Sequence, residues 1–137
     1  MRTIRFKARA KRTKEWAEGY YAIIHAPHTG GEVIGFDEFP AIFNDDPGHR
    51  DCGHWTDIYP QTLCQQTDME DADGIKIWEN DILRLSPFGK PESQYTGEVV
   101  WMQTCFAVED DRGHHEPLSP LRSLCKIEVI GNRYDEA

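Results

Sequence analysis

The fold is decided by the stretch Ile75-Lys76-Ile77-Trp78-Glu79-Asn80-Asp81-Ile82-Leu83-Arg84-Leu85. Apolar and polar residues alternate on both sides of Glu79-Asn80, which is the two-residue period of a β-strand. The preceding residues, Asp71–Gly74, predict a turn, because Asp and Gly tolerate the positive φ that tight turns require. The stretch therefore predicts two short strands, with a turn before the first and another between them.

The rest of the second half repeats this pattern of short segments and turns. Further strands are predicted at 63–67, 95–102, 105–108 and 125–130, and a single helical turn at 118–123. Many short strands with turn signals and no long helix are typical of a small all-β domain. We expect a mainly β fold with less than about 15% helix, well under the usual share, arranged as an SH3-like β-roll or small barrel.

The first half predicts a hairpin followed by loops. Ile4-Arg5-Phe6-Lys7-Ala8-Arg9 alternates strictly, so residues 2–9 form one strand, and Trp16–Ile24 forms the second. Proline and glycine recur through residues 25–60, where only 32–36 look like a strand. We expect one domain over 1–137, with an N-terminal hairpin at 1–24, a loop-rich insert at 25–60 and the β core at 61–137.

Charge divides unevenly along the chain, whose formal net charge is −9. Residues 1–14 hold seven basic residues and no acid, which leaves eight basic and 24 acidic residues in the remainder. The basic arm suits either a nucleic-acid contact or a strand with a solvated face, and the strict alternation favours the strand. The acidic remainder repels a phosphate backbone. It suits a basic partner, mimicry of DNA towards a DNA-binding protein, or solubility alone.

Two groups of residues resemble metal sites without completing one. His49, Cys52 and His54 cluster, with Cys64 ten residues beyond the last of the loop residues, but the spacing matches no standard zinc finger. Asp71, Asp73 and Gly74 fall at positions 3, 5 and 6 of the calcium loop of helix-loop-helix proteins. Met69 and Asn80 then occupy positions 1 and 12, where carboxylates are needed. We expect no bound metal.

No set of residues for catalysis is evident either. The pattern GxSxG is absent, and no glycine-rich phosphate loop occurs. Cys105 and Cys125 fall inside predicted strands, and Cys125 shares an inward face with Ile127 and Val129, so it is expected to be a buried thiol. The four cysteines are expected to be unpaired thiols. We therefore predict a protein that is not an enzyme, with no catalytic, cofactor-binding or metal-binding residues.

Four segments resemble the YopX family of small phage and prophage proteins. They are Ile4-Arg5-Phe6-Lys7-Ala8, Thr67-Asp68-Met69-Glu70-Asp71-Ala72-Asp73-Gly74-Ile75-Lys76-Ile77-Trp78-Glu79-Asn80-Asp81-Ile82, Gly97-Glu98-Val99-Val100-Trp101 and Glu128-Val129-Ile130-Gly131-Asn132-Arg133-Tyr134. Asp68 and Asn80 stand where that family usually has glycine, and both residue types tolerate the left-handed backbone. The resemblance implies an SH3-like β-roll and a phage or prophage origin, and it implies no activity.

The glycine and apolar positions of these segments also fit a structural role. Gly74, Asn80 and Gly131 are expected in turns. Four residues are expected in the core: Ile77, Ile82, Val99 and Trp101.

The leading functional hypothesis is an accessory protein that acts by binding other proteins. We expect a homo-oligomer that also binds an unidentified host or phage protein in the bacterial cytoplasm, since Met1–Lys7 is not a secretory signal and no apolar run is long enough to span a membrane. The alternative is a small barrel that binds nucleic acid through the basic N-terminal strand, with Trp16, Tyr20 and Tyr21 as stacking platforms. Nucleic acid is not the expected partner.

Overall fold

A computed structural model describes residues 4–30, 33–50 and 52–135, with the backbone alone for 25–30 and 33–38. The protein is mainly β, with 53% of its residues in strands. Its described residues include one α-helix of seven residues and two 3-10 helices of three residues, Pro60–Thr62 and Pro91–Ser93. The mainly β fold and the small helix content expected from the sequence are confirmed. Expected strand residues 2 and 3, and the basic residue Arg2, lie outside the described residues.

The chain folds into two compact units, Met1–Cys64 and Gln65–Glu136, called unit 1 and unit 2. Unit 1 holds β1 (Phe6–Arg9), β2 (Trp16–Gly30), β3 (Val33–Phe43) and β4 (Trp55–Asp57). Unit 2 holds β6 (Lys76–Trp78), β7 (Asp81–Pro87), β8 (Tyr95–Trp101), β9 (Phe106–Glu109), β10 (His115–Pro117), α1 (Leu118–Leu124) and β11 (Cys125–Asn132). Strand β5 (Cys64–Glu70) begins with the last residue of unit 1 and lies otherwise in unit 2. The sequence predicted a boundary after residue 60, four residues before the observed one.

Strands β1 to β4 of unit 1 form an antiparallel sheet in the order β4-β3-β2-β1. Strand β1 pairs with the first residues of β2, Phe6 opposite Gly19 and Arg9 opposite Trp16, so the N-terminal hairpin is confirmed. A Cβ on Gly19 would collide with the carbonyl oxygen of Phe43, which explains glycine at this close approach of β2 to β3. The unit's buried cluster consists of Ala8, Ile42 and Ile58, with partly buried Phe6, Ala17, Tyr21 and Leu63 packed against it.

The loop-rich insert predicted at 25–60 is wrong over its first part. Strand β2 continues to Gly30 and β3 runs back from Val33, in register from Gly30 opposite Val33 to Tyr20 opposite Phe43. Within the described residues, β1 pairs with β2 only over Trp16–Gly19. The later part of β2 therefore has β3 as its neighbour there, and a strand with an open side accommodates Pro27. The prolines and glycines therefore indicated an open-sided ribbon rather than loops. Residues 31 and 32 lie outside the described part.

Unit 2 contains a five-stranded antiparallel sheet in the order β10-β9-β8-β7-β11, and β5 pairs with β6. Its buried cluster is larger than that of unit 1 and comprises Ile77, Leu83, Leu85, Val99, Val108, Leu118, Leu121, Cys125 and Ile127. The described residues form no closed barrel, so the SH3-like arrangement stays a prediction. Strand β11 is an edge strand of the five-stranded sheet, and the turn after β5 covers part of it. There the backbone N–H of Ala72 donates to the carbonyl oxygen of Ile127 at 2.9 Å.

The residues of the family-like segments behave as expected in their turns, except for Gly131, and differ from expectation at one core position. Asp68 and Asn80 adopt φ of 65° and 71°, so the left-handed backbone predicted at these glycine-like positions is confirmed. Gly131 instead lies within β11, beside an irregularity in its pairing with β7. Of the four residues expected in the core, Ile77 and Val99 are buried and Ile82 is half-buried. Trp101 is 48% exposed, because it ends β8 at the tip of the hairpin with β9. Among the described residues, no helix has the length and apolar character needed to cross a membrane.

Candidate functional site: a cation–aromatic face and an adjoining cleft

The alternation of β1 separates its side chains onto two faces. Phe6 and Ala8 pack in the core of unit 1, so Arg5, Lys7 and Arg9 project from the opposite face of the sheet. This arrangement confirms the strand interpretation of the basic arm. It also brings three of the seven cations of the basic arm together on one surface.

Aromatic rings of β2 lie beneath these cations. The Nζ of Lys7 is 4.4 Å, and the Cζ of Arg9 5.3 Å, from the centre of the Trp16 ring. The Cζ of Arg5 is 5.4 Å from the centre of the Tyr20 ring. Each such contact contributes about 0.5–1 kcal/mol at an exposed site. We call these five residues the cation–aromatic face.

The turn between β1 and β2 adds a second cationic cluster around Tyr59. Lys14 Nζ lies 4.5 Å from the ring centre and donates a hydrogen bond of 2.6 Å to the Tyr59 hydroxyl. Lys11 Nζ lies 6.0 Å from the same ring. Of the aromatic platforms proposed from the sequence, Trp16 and Tyr20 carry cations, whereas Tyr21 packs against the core.

Carboxylates offset part of this positive charge. Arg5 bonds Asp45 at 2.9 Å, and Lys11 lies 3.8 Å from Asp57. The hydrogen bond from Arg5 is the largest influence on Asp45 and holds the pKa of that carboxyl below its usual value. Glu18 stands opposite Lys7 in the register of β1 and β2. The surface thus has a small excess of positive charge rather than a strong positive field.

A cleft of about 740 Å³ opens beside this face. It is lined by Ala10, Arg12, Thr13, Glu15, Trp16, Ala17, Phe39, Arg50, His54, Trp55, Thr56 and Asp57. Trp16 belongs to both surfaces, and Trp55 is 45% exposed with its ring 5.1 Å from that of Phe43. Arg50 forms an ion pair with Glu15 across the lining. We call this recess the Trp16/Trp55 cleft, and its size lies in the range of binding pockets, about 300–1,000 Å³.

The four candidate zinc ligands have other surroundings. Cys64 is buried and its Sγ donates to the carbonyl oxygen of Thr62 at 3.2 Å. His54 lines the cleft, and the backbone N–H groups of His49 and Cys52 close successive turns. Within the described residues, no three His, Cys, Asp or Glu side chains are grouped so that they could hold a metal ion.

Asp71, from the candidate calcium loop, stabilises the turn before β6. Its Oδ1 accepts from the backbone N–H of Asp73 and Ile75 at 2.8 and 2.9 Å, and its Oδ2 accepts from Val129 N–H at 3.0 Å. Burial opposes ionisation, but the three hydrogen bonds outweigh it and lower the pKa of Asp71. The carboxylate therefore joins the turn to β11.

The family-like polar residues form a buried network in unit 2. Asp81, 1% exposed, accepts from Trp78 N–H at 2.8 Å and from Asn132 Nδ2 at 2.8 Å. Asn132 Oδ1 in turn accepts from the N–H of Tyr134 at 2.9 Å. These side chains join the turn between β6 and β7 to the end of β11, so their polar groups are engaged in holding the fold.

The cysteines of unit 2 differ from each other. Cys125 lies in the core, as expected, and burial is the main cause of its raised thiol pKa, with the charge of Glu116 adding to it. Cys105 was placed inside a strand, but β9 begins at Phe106 and Cys105 is exposed in the turn. Gln103 adopts φ of 56° in this turn, which extends one residue farther in each direction than the sequence predicted. All four cysteines are free thiols.

The sequence analysis missed the cleft and most of its lining. Arg12 is distant in sequence from Arg50 and Trp55, and it lines the same cleft because Ala10 forms a bridge with Ile58 directly after β4. The single local signal was the exposed tryptophan at the start of the three-residue strand β4, in a segment interpreted as loop. The basic arm, in contrast, was visible as a run of alternating charges.

Comparison of the sequence with known protein families identifies one family. A family model described as YopX protein matches residues 6–137. No curated protein matches the chain. The matched residues include the cation–aromatic face except for Arg5, the whole Trp16/Trp55 cleft and the Asp81 network. The chain therefore belongs to the YopX protein family.

Proposed function

We propose that this protein is a non-enzymatic accessory factor of phage or prophage origin that acts in the bacterial cytoplasm by binding an acidic segment of another protein, and that it also self-associates. The observation that carries the proposal is the Trp16/Trp55 cleft with Arg12 and Arg50 in its lining, joined through Trp16 to the cation–aromatic face. Tryptophan and arginine dominate the energetics of protein interfaces.

The chemistry of the cleft favours a peptide with both an apolar and an acidic residue. Trp16, Trp55 and Phe39 offer apolar area to an apolar side chain, and the guanidinium of Arg12 offers paired hydrogen bonds to a carboxylate, whereas Arg50 is paired with Glu15. The cations on Trp16 and Tyr20 are already held over the rings, so they lose less conformational freedom when a partner binds. Electrostatic complementarity then supplies specificity and a fast association rate.

The alternative function, binding of nucleic acid, is favoured by one observation. Arg5, Lys7 and Arg9 share a face with two aromatic rings, as in proteins that track single strands. The cations lie over those rings, however, and the carboxylates of Asp45 and Asp57 offset part of the charge. Few cations are therefore left to neutralise phosphates, and we favour the protein partner.

A displayed library of random peptides tests the proposal on the full-length protein. Wild type should enrich peptides with an acidic residue close to an aromatic or aliphatic residue. The double variant Arg12→Gln/Arg50→Gln should lose that enrichment, whereas the matched control Lys76→Gln/Arg112→Gln, with the same charge change on exposed residues of unit 2, should keep it. Absence of enrichment, or equal enrichment by the cleft variant, would contradict the proposal.

A further inference from the structure

The two most exposed large apolar side chains of the described residues are neighbours on unit 2. Phe88 is 64% and Leu124 60% exposed, and the others reach 51% at most. The backbone N–H of Phe88 donates to the carbonyl oxygen of Leu124 at 3.0 Å, so the turn after β7 and the end of α1 form one surface. Exposed apolar residues are ordinary when they are scattered, but a contiguous pair marks a surface that another molecule covers.

A cleft of about 420 Å³ adjoins this pair. It is lined by Glu70, Asp71, Ala72, Phe88, Arg122, Cys125, Lys126 and Ile127. Cys125 and Ile127 are buried core residues, so they supply an apolar interior. Glu70 places a negative charge at the cleft, and Arg122 and Lys126 place positive charges there. The carboxylate of Asp71 is already engaged by three backbone N–H groups.

We propose that this surface is the contact between two copies of the chain, related by a two-fold axis, with Phe88 of each copy inserted into the cleft of the other. The inference rests on the self-association proposed above and names its surface, but it does not depend on the Trp16/Trp55 cleft. In a two-fold interface, one patch must carry both halves of every contact. This patch has a protruding ring beside a recess, and charges of both signs around them.

The charges favour a second copy over an acidic or a basic partner. A two-fold arrangement can place Glu70 of one copy opposite Arg122 and Lys126 of the other, so each charged group meets its opposite. A partner of one charge sign would leave a like charge at this cleft. Unit 2 holds seven basic and 15 acidic residues, so two of its cations at the contact also reduce repulsion between the copies.

The turn that presents Phe88 has a defined conformation. Gly89 adopts φ of 82°, which favours glycine, and Lys90 N–H donates to Pro87 O at 3.2 Å to close the turn. A ring presented by a closed turn loses little freedom on insertion, which favours association.

Sedimentation velocity over a concentration series of the full-length protein tests the contact. Wild type should pass from monomer to dimer as concentration rises, and Phe88→Ser/Leu124→Ser should raise the dissociation constant at least about 30-fold, the effect of losing an interface hot spot. The control Ile75→Ser removes a side chain that is 51% exposed, lies in the same unit and does not line the cleft, and it should dimerise like wild type. Circular dichroism verifies that each variant is folded.

A charge exchange tests the two-fold pairing independently. Glu70→Arg and Arg122→Glu should each weaken the homodimer, and an equal mixture of the two variants should form heterodimers close to wild-type strength. A monomeric wild type at every concentration, dimerisation of the Phe88→Ser/Leu124→Ser variant like wild type, or no recovery on mixing would overturn the inference. Peptide selection by the Trp16/Trp55 cleft should be unchanged in these variants, so failure of the dimer and failure of the acidic-partner proposal are separately visible.

Discussion

Unit 1 and unit 2 are both antiparallel β structures, but their side chains are used differently. Unit 2 buries nine residues in one apolar cluster and adds a buried hydrogen-bond network around Asp81. Among its described side chains, unit 1 buries three in its cluster and carries aromatic rings and cations on the opposite face of its sheet. Much of the polar chemistry of unit 2 holds the fold together, whereas that of unit 1 lies on a surface that a partner can reach.

Charge follows the same division. Residues 1–64 hold eight basic and nine acidic residues, while residues 65–137 hold seven and 15. The acidic character of the chain therefore belongs to unit 2, and unit 1 is nearly balanced, with its cations gathered near β1. The average charge of the whole chain hides this asymmetry.

Truncating one core residue in each unit should show the largest difference between them. Leu83→Ala in unit 2 should lower the free energy of unfolding by about 3–4 kcal/mol, because its rigid, fully buried surroundings leave a cavity. Ile42→Ala in unit 1 should cost about 2–3 kcal/mol, since partly exposed neighbours can move into the space. Urea denaturation followed by circular dichroism measures both, and an equal or reversed order would contradict the comparison.

The Asp81 network should be nearly as sensitive. Asp81→Ala leaves the N–H of Trp78 and the amide of Asn132 without this acceptor in a buried site, so we expect a loss of about 2–3 kcal/mol. The control Asp111→Ala, at an exposed position of the same unit, should change the free energy of unfolding by less than about 0.5 kcal/mol. If the two variants unfold at the same urea concentration, the network contributes no specific stability.

The Asp71 carboxylate should make the stability of unit 2 depend on acidity. Its pKa is lower in the folded protein than in the unfolded chain, where an Asp side chain has a pKa of about 3.9. The ionised group therefore stabilises the fold above that pH, and this contribution disappears as pH falls through the folded pKa.

Asp71→Asn should cost about 1–2 kcal/mol at pH 7, since bonds to a charged acceptor are stronger than those to an amide. The cost should shrink steadily below about pH 4, because the carboxyl becomes protonated first in the unfolded chain and, at lower pH, in the folded protein as well. Thermal melts from pH 7 to pH 3 measure the difference, with Asp111→Asn as the exposed control. A difference that does not change with pH would show that the charge of Asp71 is not what stabilises the turn.

The extent of sequence-based prediction differs between the units for a physical reason. In unit 2, local turns such as Asp71–Gly74 and the glycine-like positions Asp68 and Asn80 delimit short strands. Alternation identified the inward face of β11 at Cys125 and Ile127, but it did not identify the half-buried Ile82 or the exposed Trp101. In unit 1, the later part of β2 and β3 form a ribbon with an open side, which tolerates prolines that normally indicate loops. The alternation of β1 predicted its two faces, but the cleft depends on pairing between distant segments.

The smallest expected effect is binding of nucleic acid by unit 1. Five cations surround Trp16, Tyr20 and Tyr59, and three carboxylates lie among them, so the surface can neutralise about two phosphates. The logarithm of the affinity should therefore fall with a slope near −2 against the logarithm of salt concentration. The acidic unit 2 adds repulsion within a Debye length, about 8 Å at physiological salt. Gel shifts with single-stranded and double-stranded DNA should therefore show weak retention at low salt and almost none at physiological salt.

The triple variant Arg5→Gln/Lys7→Gln/Arg9→Gln should remove the weak low-salt retention, and the matched variant Lys76→Gln/Lys90→Gln/Arg112→Gln, at exposed positions of unit 2, should not. The reason is that only the first set lies over aromatic rings on one strand face, where cations can meet consecutive phosphates. A slope of −5 or steeper, with tight binding at physiological salt that the first variant abolishes, would mean that the carboxylates among these cations do not offset them. In that case the cation–aromatic face of unit 1 would be a nucleic-acid surface, and the acidic protein partner would no longer be the better account of it.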